Sequence, residues 1–167
     1  MKILAIDPSG NFVEGKGKTG WAMWENNHYT FGTLDAKDFE TRMDYWYAVA
    51  MIIALEKPDT LVIEDYRLYN TSAMGAATQS FSLLETPRLL GVLEQVAYAN
   101  QIKEVLWAMA SSTKAYSDDK LLKLGILTKP KNRYIFEGQK LNDHERSALR
   151  HLLRVIDLKM KGTKAIL

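Results

Sequence analysis

Apolar positions near the start of the chain follow the pattern of strands. Residues 2–6 form a short apolar run, residues 19–25 alternate between apolar and polar, and residues 28–34 are aromatic and β-branched. Asn26 and Asn27 separate the last two segments and predict a turn. The chain therefore begins with three predicted strands, of which the second and third form a hairpin.

The apolar period becomes that of a helix after the hairpin. Residues 38–57 carry apolar side chains at helical spacing until Pro58 stops the pattern. Residues 60–64 read TLVIE, which is typical of a strand buried on both faces. A second helix is predicted from about residue 81 to residue 99, in which Thr86 and Pro87 either cap a new helix or kink a longer one.

The last third of the chain predicts one more strand and two helices. Residues 104–110 favour a strand, residues 118–124 a short helix that ends at Gly125, and residues 142–161 a final helix. The order β-β-β-α-β-α-β-α-α predicts an α/β fold. Its mixed five-stranded sheet would combine a three-strand antiparallel meander with parallel strands, and helices would cover both faces.

Composition narrows the class of protein. The 167 residues, of which 47% are hydrophobic, suit a single domain over 1–167. The absence of cysteine excludes disulfides, thiol nucleophiles and thiolate metal sites. No apolar run is long enough for a membrane span or a signal segment, so we expect a cytoplasmic protein, in a bacterial host if a phage encodes it. A net charge of +2 permits a nucleic-acid partner without requiring one.

A near-match to a phosphate-binding loop lies close to the N-terminus. Residues 10–17 read GNFVEGKG, which departs from G-x-x-x-x-G-K-[ST] where Gly17 replaces the hydroxyl residue. A working loop of this kind leads into a helix, whereas GWAMW at residues 20–24 has the composition of a strand. The sequence therefore predicts a glycine-rich hairpin loop and no nucleotide cofactor.

Two carboxylates stand at the ends of apolar strands. Asp7 precedes Pro8 and Ser9 and could simply open a turn. Glu64 ends the most apolar strand, where an ionised carboxylate is unfavourable unless it is paired or bound to metal. Asp65 faces the opposite side of the strand, so Glu64 is the better candidate for a site.

The start of the final helix supplies a third polar cluster. Asn142 and Glu145 have the spacing of a capping box, which we take as the role of Glu145. Asp143, His144 and Ser147 then remain on or beside the face that can turn toward the sheet. Strand-end carboxylates together with a helix-borne Asp and His form a hard, oxygen-rich set suited to Mg²⁺ or Mn²⁺.

Three segments together resemble RuvC-type Holliday-junction resolvases, which have an RNase H-like fold. ILAIDPSG with TGWAMW resembles their first hairpin, LVIEDY their second carboxylate strand, and NDHERSALRHLL their closing helix, in which bacteriophage relatives often read DHERDA. The resemblance covers most of the chain and implies metal binding by Asp7 and Glu64. The closing helix departs from the pattern H-x-x-D, because Ser147 stands in the place of the final acid.

The resemblance also implies an activity. The substrate would be a phosphodiester of a four-way junction or other branched DNA, cleaved with two ions of Mg²⁺ or Mn²⁺ about 3.5–4 Å apart. Asp7 would bridge both ions, Glu64 would hold one, and Asp143 or His144 the other. We expect Asp143 to supply the charge missing at Ser147, so that Asp143→Asn abolishes cleavage and Ser147→Ala reduces it slightly.

The resemblance, together with charge and aromatic patterning, suggests residues that hold DNA. Two lysines lie where resemblance places contacts to the backbone, two arginines share one face of the final helix, and aromatic and basic residues follow Glu64. The candidates are Lys114, Lys120, Arg146, Arg150, Tyr66, Arg67 and Tyr69. The resemblance further implies a homodimer formed through residues 73–99.

Three alternatives stay open at this point. Actin-like ATPases and sugar kinases share a similar opening hairpin, but they need two such domains. A second alternative is a non-catalytic module that binds branched DNA through a decayed metal site, which Ser147 favours. The third is an RNase H-like nuclease of another specificity, such as cleavage of flaps or RNA–DNA hybrids.

Overall fold

The computed structural model describes residues 1–13, 15–66 and 84–162. Within these ranges the chain forms seven strands, four α-helices and three short 3-10 helices. The strands are β1 (Lys2–Asp7), β2 (Lys18–Glu25), β3 (His28–Asp35), β4 (Thr60–Glu64), β5 (Glu104–Ala108), β6 (Tyr134–Phe136) and β7 (Gln139–Leu141). The α-helices are α1 (Arg42–Glu56), α2 (Glu85–Ala99), α3 (Asp118–Lys123) and α4 (Asp143–Met160). The 3-10 helices span Ala36–Asp38, Ala110–Tyr116 and Pro130–Asn132.

The main sheet is mixed and five-stranded, in the order β3-β2-β1-β4-β5. β1, β2 and β3 pair antiparallel, whereas β4 pairs parallel with both β1 and β5. The predicted meander with added parallel strands is therefore confirmed. Asn26 and Asn27 have φ angles of 50° and 62°, as the turn of the predicted hairpin requires.

Two hydrophobic cores lie on opposite faces of this sheet, because residues 3–6 of β1 and 61–63 of β4 are all apolar. Ile3 and Ala5 of β1 face a core shared with α3, α4 and the β6–β7 hairpin. Leu4 and Ile6 face a second core formed with α1 and α2. Helices therefore cover both faces, as predicted. Among the described residues, no helix combines the length and apolar composition needed to cross a bilayer.

Local capping explains where the predicted boundaries differ. α1 begins at Arg42 and not at residue 38, because the Thr41 side chain accepts a hydrogen bond from the Asp44 amide and starts the helix there.

Other elements near the predicted boundaries also differ from expectation. β5 ends at Ala108, after which the chain enters a 3-10 helix. Pro87 lies in the first turn of α2, where its missing N–H is tolerated. The two-stranded β6–β7 sheet was not predicted.

The glycine-rich loop leads into β2 and not into a helix, so it does not have the architecture of a phosphate-binding loop. Its backbone is instead tied to the start of α2. The amides of Phe12 and Val13 donate to Glu85 Oε2 at 2.8 and 3.3 Å, and the Gly10 amide donates to Thr86 Oγ1 at 3.0 Å. The loop after Asp7 is thereby held against the helix that follows residues 67–83 in sequence.

Candidate active site at the ends of β1 and β4

Asp7 and Glu64 occupy neighbouring positions at one edge of the sheet. Ile6 pairs with Ile63 in the parallel β1–β4 register, and each carboxylate residue follows its partner by one position. Adjacent strands lie about 4.8 Å apart, and residues in register point to the same face. Both side chains are mostly buried, with 18% of the Asp7 side chain and 19% of the Glu64 side chain exposed. The sheet therefore places two predicted site residues side by side.

α4 crosses this edge and presents three polar residues to the carboxylates. His144, Ser147 and His151 are spaced by three and four positions, so they share one face of the helix. His144 Nδ1 lies 3.0 Å from Asp7 Oδ2. Ser147 Oγ donates to Glu64 Oε2 at 2.8 Å, and His151 Nε2 lies 2.9 Å from the same oxygen. Each carboxylate thus has its own partners on the helix.

Gly20 allows α4 to approach the sheet this closely. It lies on β2 directly opposite Asp7 in the register. A Cβ atom at Gly20 would lie 2.3 Å from the carbonyl carbon of His144 and 2.6 Å from the amide nitrogen of Glu145. The first turn of α4 therefore rests on a backbone that has no side chain, and this contact brings His144 to Asp7.

The start of α4 is also fixed by the predicted capping box. Asn142 Oδ1 accepts from the Glu145 amide at 3.0 Å, and Glu145 Oε2 accepts from the Asn142 amide at 2.9 Å. Thr33 on β3 joins the box, since it accepts from Asn142 Nδ2 at 2.7 Å and donates to Glu145 Oε1 at 3.0 Å. The assignment of Glu145 to capping is confirmed.

The two carboxylates differ in their electrostatics. Burial raises the pKa of Asp7, and the nearby charge of Glu64 raises it further, against the lowering effect of His144. Burial also acts to raise the pKa of Glu64, but hydrogen bonds from His151 and Ser147 outweigh it, so this pKa lies below its usual value. The hydrogen bond to Asp7 raises the pKa of His144. The site therefore combines Asp7, whose ionised form is disfavoured, with Glu64, whose ionised form is favoured.

Asp143 lies apart from this pair. Its side chain is 88% exposed, and its Oδ1 accepts from Arg146 Nη2 at 2.9 Å. Across residues 1–13, 15–66 and 84–162, no group of three or more acidic, histidine or cysteine side chains is arranged to hold a metal ion. The structure pairs His144 with Asp7 and places Glu64 beside them with its own partners, Ser147 and His151, while Asp143 faces solvent.

The carboxylate pair fits the expected Mg²⁺ or Mn²⁺. Magnesium is commonly held by one or two protein carboxylates, with water and substrate phosphate completing its shell. Asp7 and Glu64 match that requirement, and the raised pKa of Asp7 is the mark of a buried acid that a nearby cation would stabilise. The donor set therefore fits an ion shared with a phosphate, and not a closed cage of protein ligands.

Two predicted DNA-binding arginines are engaged within the protein. Arg146 is 13% exposed, its Nε donates to Asp118 Oδ2 at 3.0 Å, and its guanidinium lies 3.9 Å from the centre of the Tyr134 ring. Arg150 is 29% exposed and lies 3.9 Å from Asp118. These contacts fasten α4 to α3 and to the β6–β7 hairpin.

The other predicted DNA contacts are more accessible. Lys114 and Lys120 are exposed at the surface, on the 3-10 helix after β5 and on α3. Tyr66 is 39% exposed, two residues after Glu64. Arg67 and Tyr69 lie outside the described residues, as does the part of the predicted dimer segment before residue 84.

Sequence reasoning missed His151 and the role of Gly20. His151 lies seven positions after His144, and this spacing on a helix was the available signal for a third residue on the same face. It was hidden because His151 falls within the apolar stripe of α4, where a single histidine is read as part of the core. Nothing local in the sequence marks Gly20 as the point of contact with α4.

The chain shares its fold, a mixed α/β sheet of the RNase H-like type, with the solved structures of RuvC. The chain is similar to RuvC of Thermus thermophilus in complex with a Holliday junction substrate, with a TM-score of 0.62 and 14% identity over 98% of this chain and 97% of that one. A second structure of Thermus thermophilus RuvC gives a TM-score of 0.61 and 12% identity, with 98% of each chain covered. The fowlpox virus Holliday junction resolvase matches with a TM-score of 0.49 and 14% identity over 94% of this chain and 98% of that one. No protein-family model and no curated protein sequence matches the chain.

Proposed function

We propose that the protein is a structure-specific endodeoxyribonuclease that cleaves phosphodiesters in four-way junctions and related branched DNA. The observation that carries this proposal is the placement of Asp7 and Glu64 side by side under α4. The RNase H-like fold and the similarity to a RuvC solved with a Holliday junction support it. The carboxylate pair and the fold together favour phosphodiester hydrolysis over the ATP-dependent reactions of actin-like ATPases and sugar kinases.

Catalysis would require a divalent cation, Mg²⁺ or Mn²⁺, with Asp7 and Glu64 as its protein ligands. When bound, such an ion supplies an activated water and neutralises charge on the scissile phosphate. His144 Nδ1 lies 3.0 Å from Asp7 Oδ2, and a proton shared between these atoms would orient the carboxylate. Hydrolysis with two ions, as the resemblance implies, needs further ligands, for which His144 and Asp143 are the candidates. Asp143 would have to leave its ion pair with Arg146 to serve.

DNA binding would rest on exposed cations near the site. Lys114 and Lys120 can contact the phosphate backbone without reading sequence. Tyr66 can stack on an unpaired base at the junction centre. The guanidinium groups of Arg146 and Arg150 already pair with Asp118. These two arginines would therefore contribute to DNA binding through the electrostatic field near α4 and not through direct contacts.

A homodimer would supply two such sites for symmetric cuts. An apolar groove between α1 and α2 supports this part of the proposal. Met43 and Tyr47 of α1 line it and are 61% and 66% exposed, and Val92 and Val96 of α2 form its other wall. Analytical ultracentrifugation over a range of protein concentrations tests it, and a monomer at all concentrations would refute it.

The function is tested by incubating the protein with labelled four-way junction, flap, RNA–DNA hybrid and linear duplex, with and without Mg²⁺ or Mn²⁺. We expect cleavage of the junction only with metal, and its loss in Asp7→Asn and Glu64→Gln with junction binding retained. Loss of cleavage in Asp143→Asn would assign that residue to the site, whereas wild-type cleavage would remove it. Preferred cleavage of flaps or hybrids would assign another nuclease specificity.

A second candidate is a module that binds branched DNA without cutting it. Ser147 in the place of an acid favours this candidate, as does the lack of a three-ligand group among the described residues. Tight binding of the junction with no cleavage in either metal would establish it. Cleavage that disappears in Glu64→Gln would exclude it.

A further inference from the structure

His151 is a buried histidine within the apolar stripe of α4. It is 1% exposed and lies on α4 among Ala148, Leu152 and Val155, all of which are fully buried. A polar group in such surroundings is unfavourable unless it forms hydrogen bonds. Among the described residues, the hydrogen bond of the imidazole is the one between Nε2 and Glu64 Oε2, at 2.9 Å. The position of this histidine is therefore explained by Glu64.

The tautomer of His151 follows from the same contacts. Nδ1 is buried and has no hydrogen-bond partner in the described part of the chain. A proton on Nδ1 would leave a buried donor unsatisfied and would turn the lone pair of Nε2 toward a carboxylate oxygen. A proton on Nε2 allows the ring to donate to Glu64 and leaves only an unpaired acceptor at Nδ1. The geometry thus favours the Nε2–H form.

Ser147 makes the same kind of contact one turn earlier on α4. Its hydroxyl can only donate to an ionised carboxylate, and it does so to Glu64 Oε2 at 2.8 Å. Two donors from one helix therefore converge on a single oxygen at the end of β4. A carboxylate with two fixed donors is held in one orientation and does not swing toward other partners.

We propose that Ser147 and His151 are positioning residues that hold Glu64 beside Asp7 by two hydrogen bonds from α4, with Ser147 donating from the place of the final acid of the RuvC-type pattern. The proposal deepens the proposed function and rests on it for the role of Glu64. His151 is buried, and both side chains form hydrogen bonds to Glu64, so each would act on the reaction through that carboxylate. Hydrogen-bond donors to a metal-binding carboxylate commonly change metal affinity or activity by about 10- to 100-fold when removed.

The first test concerns the protein without DNA or metal. Imidazole ¹⁵N chemical shifts measured by NMR at neutral pH report which ring nitrogen of His151 carries the proton. We expect a proton on Nε2, the nitrogen that faces Glu64. A proton on Nδ1 alone would overturn the proposal, since His151 could not then donate to Glu64. This readout does not depend on nuclease activity, so it separates the inference from the proposed function.

The second test compares His151→Leu, His151→Gln and Ser147→Ala. Calorimetric titration of the DNA-free protein with Mn²⁺ gives metal affinity, and junction cleavage gives kcat and KM. We expect His151→Leu to weaken Mn²⁺ binding and lower kcat by about 10- to 100-fold with little change in KM. His151→Gln should recover much of this loss because its amide can donate from nearly the same place, and Ser147→Ala should lose less.

A matched histidine serves as the control. His28 is exposed at the β2–β3 turn, so His28→Gln should leave Mn²⁺ binding and kcat unchanged. If His151→Leu does not fold, Ser147→Ala and the NMR measurement still decide the matter, since wild-type kcat and Mn²⁺ affinity in Ser147→Ala together with a proton on Nδ1 alone would overturn the proposal. Wild-type kcat and Mn²⁺ affinity in both His151→Leu and Ser147→Ala would overturn the proposal while leaving the proposed function intact. Failure of the wild-type protein to cut any branched DNA would instead remove the proposed function, and the NMR result would still stand for Glu64.

Discussion

Gly20→Ala would place a methyl group where the backbone of α4 already lies. The new Cβ atom would be 2.3 Å from the carbonyl carbon of His144 and 2.5 Å from its oxygen. The contacts are with backbone on both sides, so no flexible side chain can move away. The first turn of α4 or the middle of β2 must shift instead.

The size of this shift can be worked out from the contacts. Ordinary van der Waals contact begins at 3.4 Å, so the two backbones must separate by about 1 Å. The distance from His144 Nδ1 to Asp7 Oδ2 would then rise from 3.0 Å to about 4 Å, which is beyond a hydrogen bond. We expect overpacking to reduce the free energy of unfolding by about 1–3 kcal/mol. A displacement of 1 Å at a site can reduce the rate by about 100-fold.

Thermal unfolding and junction cleavage measure the two effects. The matched control is Gly91→Ala, because Gly91 lies in α2 with no atom within 4 Å of the added Cβ. Since alanine is the better helix former, the control should gain about 1 kcal/mol. A Gly20→Ala protein with wild-type stability and wild-type kcat would refute the close approach of α4 and β2.

Three further predictions concern stability and DNA binding. Asp7→Asn should abolish cleavage yet raise Tm at pH 7, because burial raises the folded-state pKa of Asp7 above 3.8 and ionisation of the wild-type carboxyl therefore opposes folding. The gain in Tm over wild type should vanish as pH falls toward 3.8, and a gain that stays constant with pH would contradict the reasoning. Asn142→Ala removes a helix cap and the bond to Thr33, so urea unfolding should show a loss of about 1–2 kcal/mol, and no change would refute the capping box. Lys114→Ala and Lys120→Ala should each reduce the slope of log K against log salt for junction binding by about 0.9, whereas an unchanged slope would mean that they contact no phosphate.

The secondary structure was predictable to the extent that local patterns decide it. The alternation of residues 19–25 and the Asn26-Asn27 turn produced the hairpin as expected, and Asn142 with Glu145 marked the start of α4. The β6–β7 hairpin escaped prediction because its strands have three residues each, too few to show a period. The start of α1 was missed because one capping bond of Thr41 outweighed the longer apolar pattern.

Recognition of Asp7, Glu64 and His144 also rested on local cues, namely a carboxylate at the end of an apolar strand and a polar first turn of a helix. The choice of His144, and not Asp143, as the partner of Asp7 did not rest on any local cue. Asp143 and His144 are adjacent in sequence, yet one lies in solvent against Arg146 and the other contacts Asp7, because successive residues of a helix point about 100° apart. The packing of α4 against β2 decides which of these two side chains contacts the sheet.

The sequence by itself determined the five strands of the main sheet, the helices that cover it and the sheet edge at which acids would gather, since hydrophobic period and chain order carry that information. Only the tertiary structure decided that Glu64 is held by Ser147 and His151 and that Gly20 admits the helix. These contacts join β4 and β2 to a helix more than 80 residues further on. Their geometry depends on the packing of whole elements, which no local pattern encodes.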